Sequence, residues 1–173
     1  MTTSGYNRTS IIAHWIAAAL VISLFFTHEG ERGSLAFAFH VGAGFIGGLF
    51  LIWRVFRRLA RGMTDKPAQN WLLNLASQLV IWGFLINMVV ITLTGIFVIW
   101  SLGQPIDIFG LFSVPSPMPA MRSLHEALEE VHEVSGQLFV PLVVLHVLGA
   151  LKHAVIDRDG VMARMVSPVA GGR

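Results

Sequence analysis

The chain has 173 residues, of which 54% are hydrophobic and only 13% charged, and it contains no cysteine. Soluble domains carry about 25% charged residues, so this composition describes a chain that lives in lipid rather than water. A net charge of +2 excludes a global attraction to nucleic acid, and the lack of cysteine excludes disulfides, thiolate metal sites, iron–sulfur clusters and covalently attached c-type haem.

Four apolar stretches are long enough to cross a hydrocarbon core of ~30 Å. The first covers residues 11–27; it has no small-residue cleavage site, and it carries His14 and Trp15, so it reads as a retained span rather than a signal peptide. The second, 35–55, is rich in glycine and exits into arginines. "RRLARGMTDKPAQN" then forms a polar hairpin stopped by Pro67. The third span covers 72–100, with Trp71, Trp82 and Trp100 in interfacial or packing positions. After it comes a long Pro- and Gly-rich loop whose "IDIFGLF" portion is too apolar for water and is expected to lie back on the membrane surface as a cover. "MRSLHEALEEVHE" reads as helix and leads into the fourth span, 131–155. The chain 1–173 is therefore expected to be a single all-α domain, an integral membrane four-helix bundle.

The basic residues orient it. Arg8, the cluster Arg54, Arg57, Arg58, Arg61 and Lys66, and the tail residues Lys152, Arg158, Arg164 and Arg173 make ten of the twelve, leaving only Arg32 and Arg122 for the other two loops. The positive-inside rule puts both termini in the cytoplasm.

Histidines inside spans are expensive and mark function. With that orientation His14 and His146 lie in the inner half, while His40 and His132 lie near the outer face, giving two pairs at matched depths. His132 and His146 are fourteen residues apart, which is four helical turns less ~40°, so they share a helix face with ~21 Å between them. Imidazoles paired across a membrane bundle are how b-type haem is held, one ligand on each side of the iron. Two stacked b haems with His14, His40, His132 and His146 as axial ligands are the expectation. Small residues accompany the ligands as a flat macrocycle requires: Gly44, Gly47 and Gly48 after His40, Gly136 after His132, Gly149 after His146, and Ala17 and Ala18 after His14. Pro141 adds a bend between the two histidines of the fourth span. His28 and His125 read as outer-loop residues, and Asn87 as a helix–helix hydrogen-bonding group. His153, on the face of His146 near the inner boundary, is either a surface histidine or a donor to a quinone carbonyl. Arg54 is either an interfacial anchor or a partner of haem propionates.

"SIIAHWIAA", "LAFAFHVGAGFIGGLFLIWRVFRR", "GQPIDIFGLFSVP" and "HEVSGQLFVPLVVLHVLGALKH", in this order and spacing, resemble the bacterial cytochrome b561 family, small di-haem cytochromes of the inner membrane that include superoxide oxidases. The resemblance covers nearly the whole chain. It implies the same four haem ligands, a quinone contact at His153, and electron transfer between the periplasmic side and ubiquinone, with superoxide as a donor and dioxygen as its product. The expected activity is thus an oxidoreductase, either superoxide:ubiquinone or quinone-linked, with membrane lipid, quinone and a periplasmic electron donor as partners. The alternative is a cytochrome b subunit anchoring a larger dehydrogenase or hydrogenase. A histidine-based transporter would need carboxylates beside the mid-span histidines, and the spans have none there.

Overall fold

The computed structural model describes residues 6–61 and 70–168. Lys66, Pro67 and Arg173, used above for the hairpin and the orientation, lie outside the described residues. Among the described residues four helices are long and apolar enough to cross a membrane: α1 (Arg8–Thr27), α2 (Leu35–Arg61), α3 (Trp71–Trp100) and α4 (Arg122–Leu151). Each start has a local cause. The Asn7 side chain accepts from the Ser10 N–H at 3.0 Å, and Asn70 does the same for the Leu72 N–H at 3.0 Å, while Ser34 Oγ accepts from the Phe37 N–H ahead of α2. These are side-chain caps on donors that have no partner within the helix.

Both α3 and α4 have 30 residues, ~45 Å at the rise of an α-helix, so they outrun the hydrocarbon core. The surplus of α4 is its polar first part, Arg122 to Glu130, ahead of the apolar stretch that begins at Val131. Beyond Leu151 the helix widens into a π-helical turn, Lys152–Asp157, and the chain reverses through Arg158 and Gly160, both at positive φ. A hydrogen bond of 3.0 Å from the Trp15 indole to the Met165 carbonyl ties the returning segment to α1.

The loop between α3 and α4 contains an antiparallel hairpin, β1 (Ile106–Ile108) with β2 (Phe112–Val114), in the register Ile106–Val114 and Ile108–Phe112. The expected cover therefore has regular structure, and alternation explains it: Ile106 and Ile108 are buried while Asp107 between them is exposed. The Ile108 carbonyl accepts from the Leu111 N–H across a turn whose central residues, Phe109 and Gly110, both have positive φ, the pattern of a type I′ turn. Phenylalanine at positive φ costs about 1 kcal/mol. Its ring is set against α2, about 3.0 Å from where a Cβ on Gly42 would stand. His125 is not a loop residue as the sequence suggested. It sits in the first turns of α4 with a nearly buried side chain, donating from Nδ1 to the Val98 carbonyl at 3.1 Å and so fastening the start of α4 to the end of α3.

The helices pack in chain order, α1 on α2, α2 on α3 and α3 on α4, with no comparably broad interface between α1 and α4. Ala17, Leu51, Val55, Leu85, Met88 and Phe139 form the central cluster, and Asn87 Nδ2 donates to the Ser135 carbonyl at 2.9 Å, joining α3 to α4. Many large apolar side chains are exposed, such as Phe26, Leu79, Ile86 and Leu148, as lipid-facing residues must be. Two glycines expected to clear room for a macrocycle serve helix packing instead. A Cβ at Gly47 would strike Leu20 of α1 at 2.4 Å, and one at Gly48 would strike Thr92 of α3 at 2.6 Å. Ala17 is likewise packed in the core.

Candidate haem sites

At one end of the bundle α1 and α4 bring His14 and His146 together, with ring centroids 6.0 Å apart. At the other end α2 and α4 bring His40 to His132, with centroids 6.2 Å apart. The four histidines thus meet in the pairs expected from depth. Two imidazoles that bind one metal ion from opposite sides, at ~2.0 Å per metal–nitrogen bond, hold their centroids ~6.3 Å apart. Both pairs are close to that separation.

The second ring nitrogen tells the two pairs apart. His40 Nδ1 donates to the Leu24 carbonyl at 3.0 Å, and His132 Nδ1 donates to the Ile91 carbonyl at 3.0 Å. A metal-binding histidine nearly always donates its other N–H in this way, which fixes the tautomer and aims Nε2 at the metal. Leu24 lies at the end of α1 and Ile91 in α3, so all four helices define this pair. Thr94 Oγ1 lies 3.2 Å from the same His132 nitrogen. Gly95 completes the seat: a Cβ there would stand 2.8 Å from His132 Cε1, so the ring lies on α3 only because residue 95 has no side chain. In the other pair Arg54 Nη2 donates to His14 Nδ1 at 2.8 Å, and the edge of the His146 ring meets Phe84, with centroids 5.5 Å apart.

Three of the glycines beside the histidines face open space. A Cβ built on Gly44 would find only Leu24 at 3.9 Å, one on Gly136 only Ile91 at 4.0 Å, and one on Gly149 nothing within 4 Å. The open glycine faces, the two ring separations and the carbonyl-held Nδ1 atoms fit haem bound between imidazoles. His153, Asp157 and Asp159 cluster beyond α4, with three potential ligand atoms within 4.8 Å of one another. His153 Nδ1 is 2.7 Å from Asp159 Oδ2 and 3.2 Å from Asp157 Oδ2, while the Lys152 ammonium pairs with Asp157. Outside the bilayer span, Asp159 is held below the usual carboxylate range: partial burial pushes the other way, but the Val161 N–H and His153 outweigh it.

Thr94, Phe84 and Asp159 escaped the sequence reading, as did the seat that Gly95 offers His132. Only Asp159 had a local signal, the Asp-Gly pair that marks a chain reversal after a helix. The others matter through contacts between helices, for which a single chain gives no spacing rule.

A membrane four-helix bundle that faces imidazoles across its interior at two levels is the build of a b-type cytochrome carrying electrons through a bilayer. The chain belongs to the prokaryotic cytochrome b561 family, whose model matches residues 5–168. It is similar to cytochrome b561 homolog 2 of Escherichia coli (strain K12), with 24% identity over 174 residues, covering 95% of this chain and 93% of that protein. The family implies haem b as prosthetic group and transmembrane electron transfer as the task.

Proposed function

We propose that the chain binds two b haems, through His14 with His146 and His40 with His132, and moves electrons between the periplasmic side of the bacterial inner membrane and ubiquinone. The observation that carries this reading is the pair of imidazole separations, 6.0 and 6.2 Å, at two levels of one bundle. When bound, the haems supply the one-electron redox chemistry and the path across the bilayer. The chain supplies the ligands and, at His40 and His132, the tautomers. Both termini, and with them the His14–His146 pair, lie on the cytoplasmic side in this reading, as the arginines of α2 favour. Ubiquinone is reduced there with His153 as its contact.

Superoxide is the proposed donor. Two superoxide ions each give up one electron and leave as dioxygen, and ubiquinone takes two electrons and two protons to become the quinol. One observation favours a second reading, a membrane-anchor cytochrome b subunit serving a protein donor. Glu126, Glu129, Glu130 and Glu133 stand together on the outer part of α4, and that field repels a small anion while attracting a basic protein surface. The test is to purify the protein in detergent, count haem b per chain, and add superoxide or quinol to separate samples. Two haems per chain, reduced by superoxide and reoxidised by ubiquinone, are expected. Reduction by quinol with no response to superoxide would move the assignment to the second reading, and fewer than two haems would remove one of the imidazole pairs.

Arg54 has a definite role in this scheme. Its guanidinium is half-buried beside His14, where positive charge favours the reduced, more electron-rich state of the inner site; it is also the proposed partner of the haem propionates. Arg54→Gln is expected to retain both haems and to shift the inner midpoint potential to a more negative value in a redox titration. An unchanged potential would leave Arg54 as an interfacial anchor only.

A further inference from the structure

The cluster past the end of α4 is more specific than a surface histidine needs. His153 has two carboxylates within reach, but they are not equivalent. Asp157 is already paired with the Lys152 ammonium, so its charge is spoken for. Asp159 is closer to the imidazole, 2.7 Å against 3.2 Å. Its other oxygen accepts from the Val161 N–H at 3.1 Å, which fixes the carboxylate. Asp159 reaches this position because the π-helical turn ends at Arg158, whose positive φ turns the chain back. The Trp15 indole then holds the returning segment at Met165. Trp15, whose ring lies against His14 with centroids 5.5 Å apart, thereby ties this loop to the inner imidazole pair.

We infer that Asp159 is the positioning residue of the quinone site, locking the His153 ring by its Nδ1–H so that Nε2 serves as the proton donor to a quinone carbonyl oxygen. This rests on the proposed reduction of ubiquinone at His153. The balance is as follows for one quinone: two electrons arrive from the one-electron donor on the far side, and two protons are taken up. His153 in its doubly protonated form gives its Nε2 proton to the carbonyl oxygen, keeps its Nδ1–H on Asp159, and regains a proton at Nε2 from the aqueous side. Repetition supplies the second proton. Asp159 stays ionised throughout and touches no reacting atom. Its carboxylate offsets the imidazolium charge while the donor waits, and it keeps the ring from turning when that charge is lost.

The experiment uses the full-length, haem-loaded protein with ubiquinone-1 as the probe, comparing wild type with Asp159→Asn, Asp159→Glu and His153→Ala. Asp159→Asn should lower kcat for ubiquinone-1 reduction about tenfold to a hundredfold, at or below the low end of a general acid's whole contribution because the acid itself remains. It should raise the solvent isotope effect on kcat and weaken equilibrium binding of ubiquinone-1 to the oxidised protein by roughly tenfold, the worth of one hydrogen bond. Haem spectra and thermal midpoint should not move, and Asp159→Glu should restore most of the rate. A wild-type rate and affinity in Asp159→Asn, beside a slow His153→Ala, would overturn the positioning role alone. If Asp159→Asn also loses haem, a folded Asp159→Glu that stays slow would overturn it. Full turnover in His153→Ala would overturn the quinone assignment itself, and the inference with it.

Discussion

Changing His146 to Ala is expected to cut haem b from two per chain to one and to abolish electron passage between the two faces. The geometry makes this severe. His146 faces His14 at 6.0 Å, and the neighbouring aromatic, Phe84, offers no nitrogen in its place. Without His146 the inner site would have His14 alone to hold a haem, and would hold it weakly. The other pair, His40 with His132, keeps its carbonyl-bound Nδ1 atoms and should remain reducible by a membrane-impermeant donor added from its own side. Haem quantification with a reduced-minus-oxidised spectrum reads the first effect, and proteoliposomes with oxidant enclosed read the second. Two unaltered low-spin haems in the variant would remove His146 from the ligand set.

The second large effect falls on a residue with no polar atom in its side chain. Gly95→Ala adds one methyl group 2.8 Å from His132 Cε1. The ring cannot simply swing away, because Nδ1 is bonded to the Ile91 carbonyl on the same helix. Overpacking of this kind costs about 1–3 kcal/mol, and here the strain falls on a ligand. Loss of the haem at the His40–His132 pair, with the other retained, is expected. Gly83→Ala provides the matched control: its Cβ would meet Leu142 Cδ2 at 2.9 Å, the far end of a flexible side chain that can rotate aside. Equal haem loss in both variants would point to general disruption of α3 and α4 packing, and no loss at Gly95→Ala would show that His132 does not need its seat on α3.

Much of this architecture was legible because lipid simplifies the rules. A span must be long, apolar and helical, so four stretches of sequence translate directly into α1 to α4. Imidazoles then stand out as costly exceptions whose depth can be counted in residues, and His14, His40, His132 and His146 meet as counting requires. The same simplicity fails at short range. All glycines look alike in sequence, yet Gly47 and Gly48 receive Leu20 and Thr92 while Gly44 and Gly136 face open space. Rotation of each helix decides this, and it is set by neighbours. The hairpin at Ile106–Val114 was hidden for a different reason. Its strands have three residues each, too few for alternation to declare itself, and its turn places Phe109 where asparagine would be the usual signal.

Each imidazole pair draws one member from α4 and the other from a helix made earlier, α1 or α2. Synthesis runs from the N-terminus, so His14 and His40 are made before a partner exists for either, while in the finished fold α1 to α3 pack on one another in chain order. Arrival of the last helix completes both pairs at once, and the weak seam between α1 and α4 is where His14 meets His146. Under the proposed ligand assignment, neither haem site is complete until the final helix has been made. A chain truncated before His132 would therefore carry half of each proposed site and neither one whole.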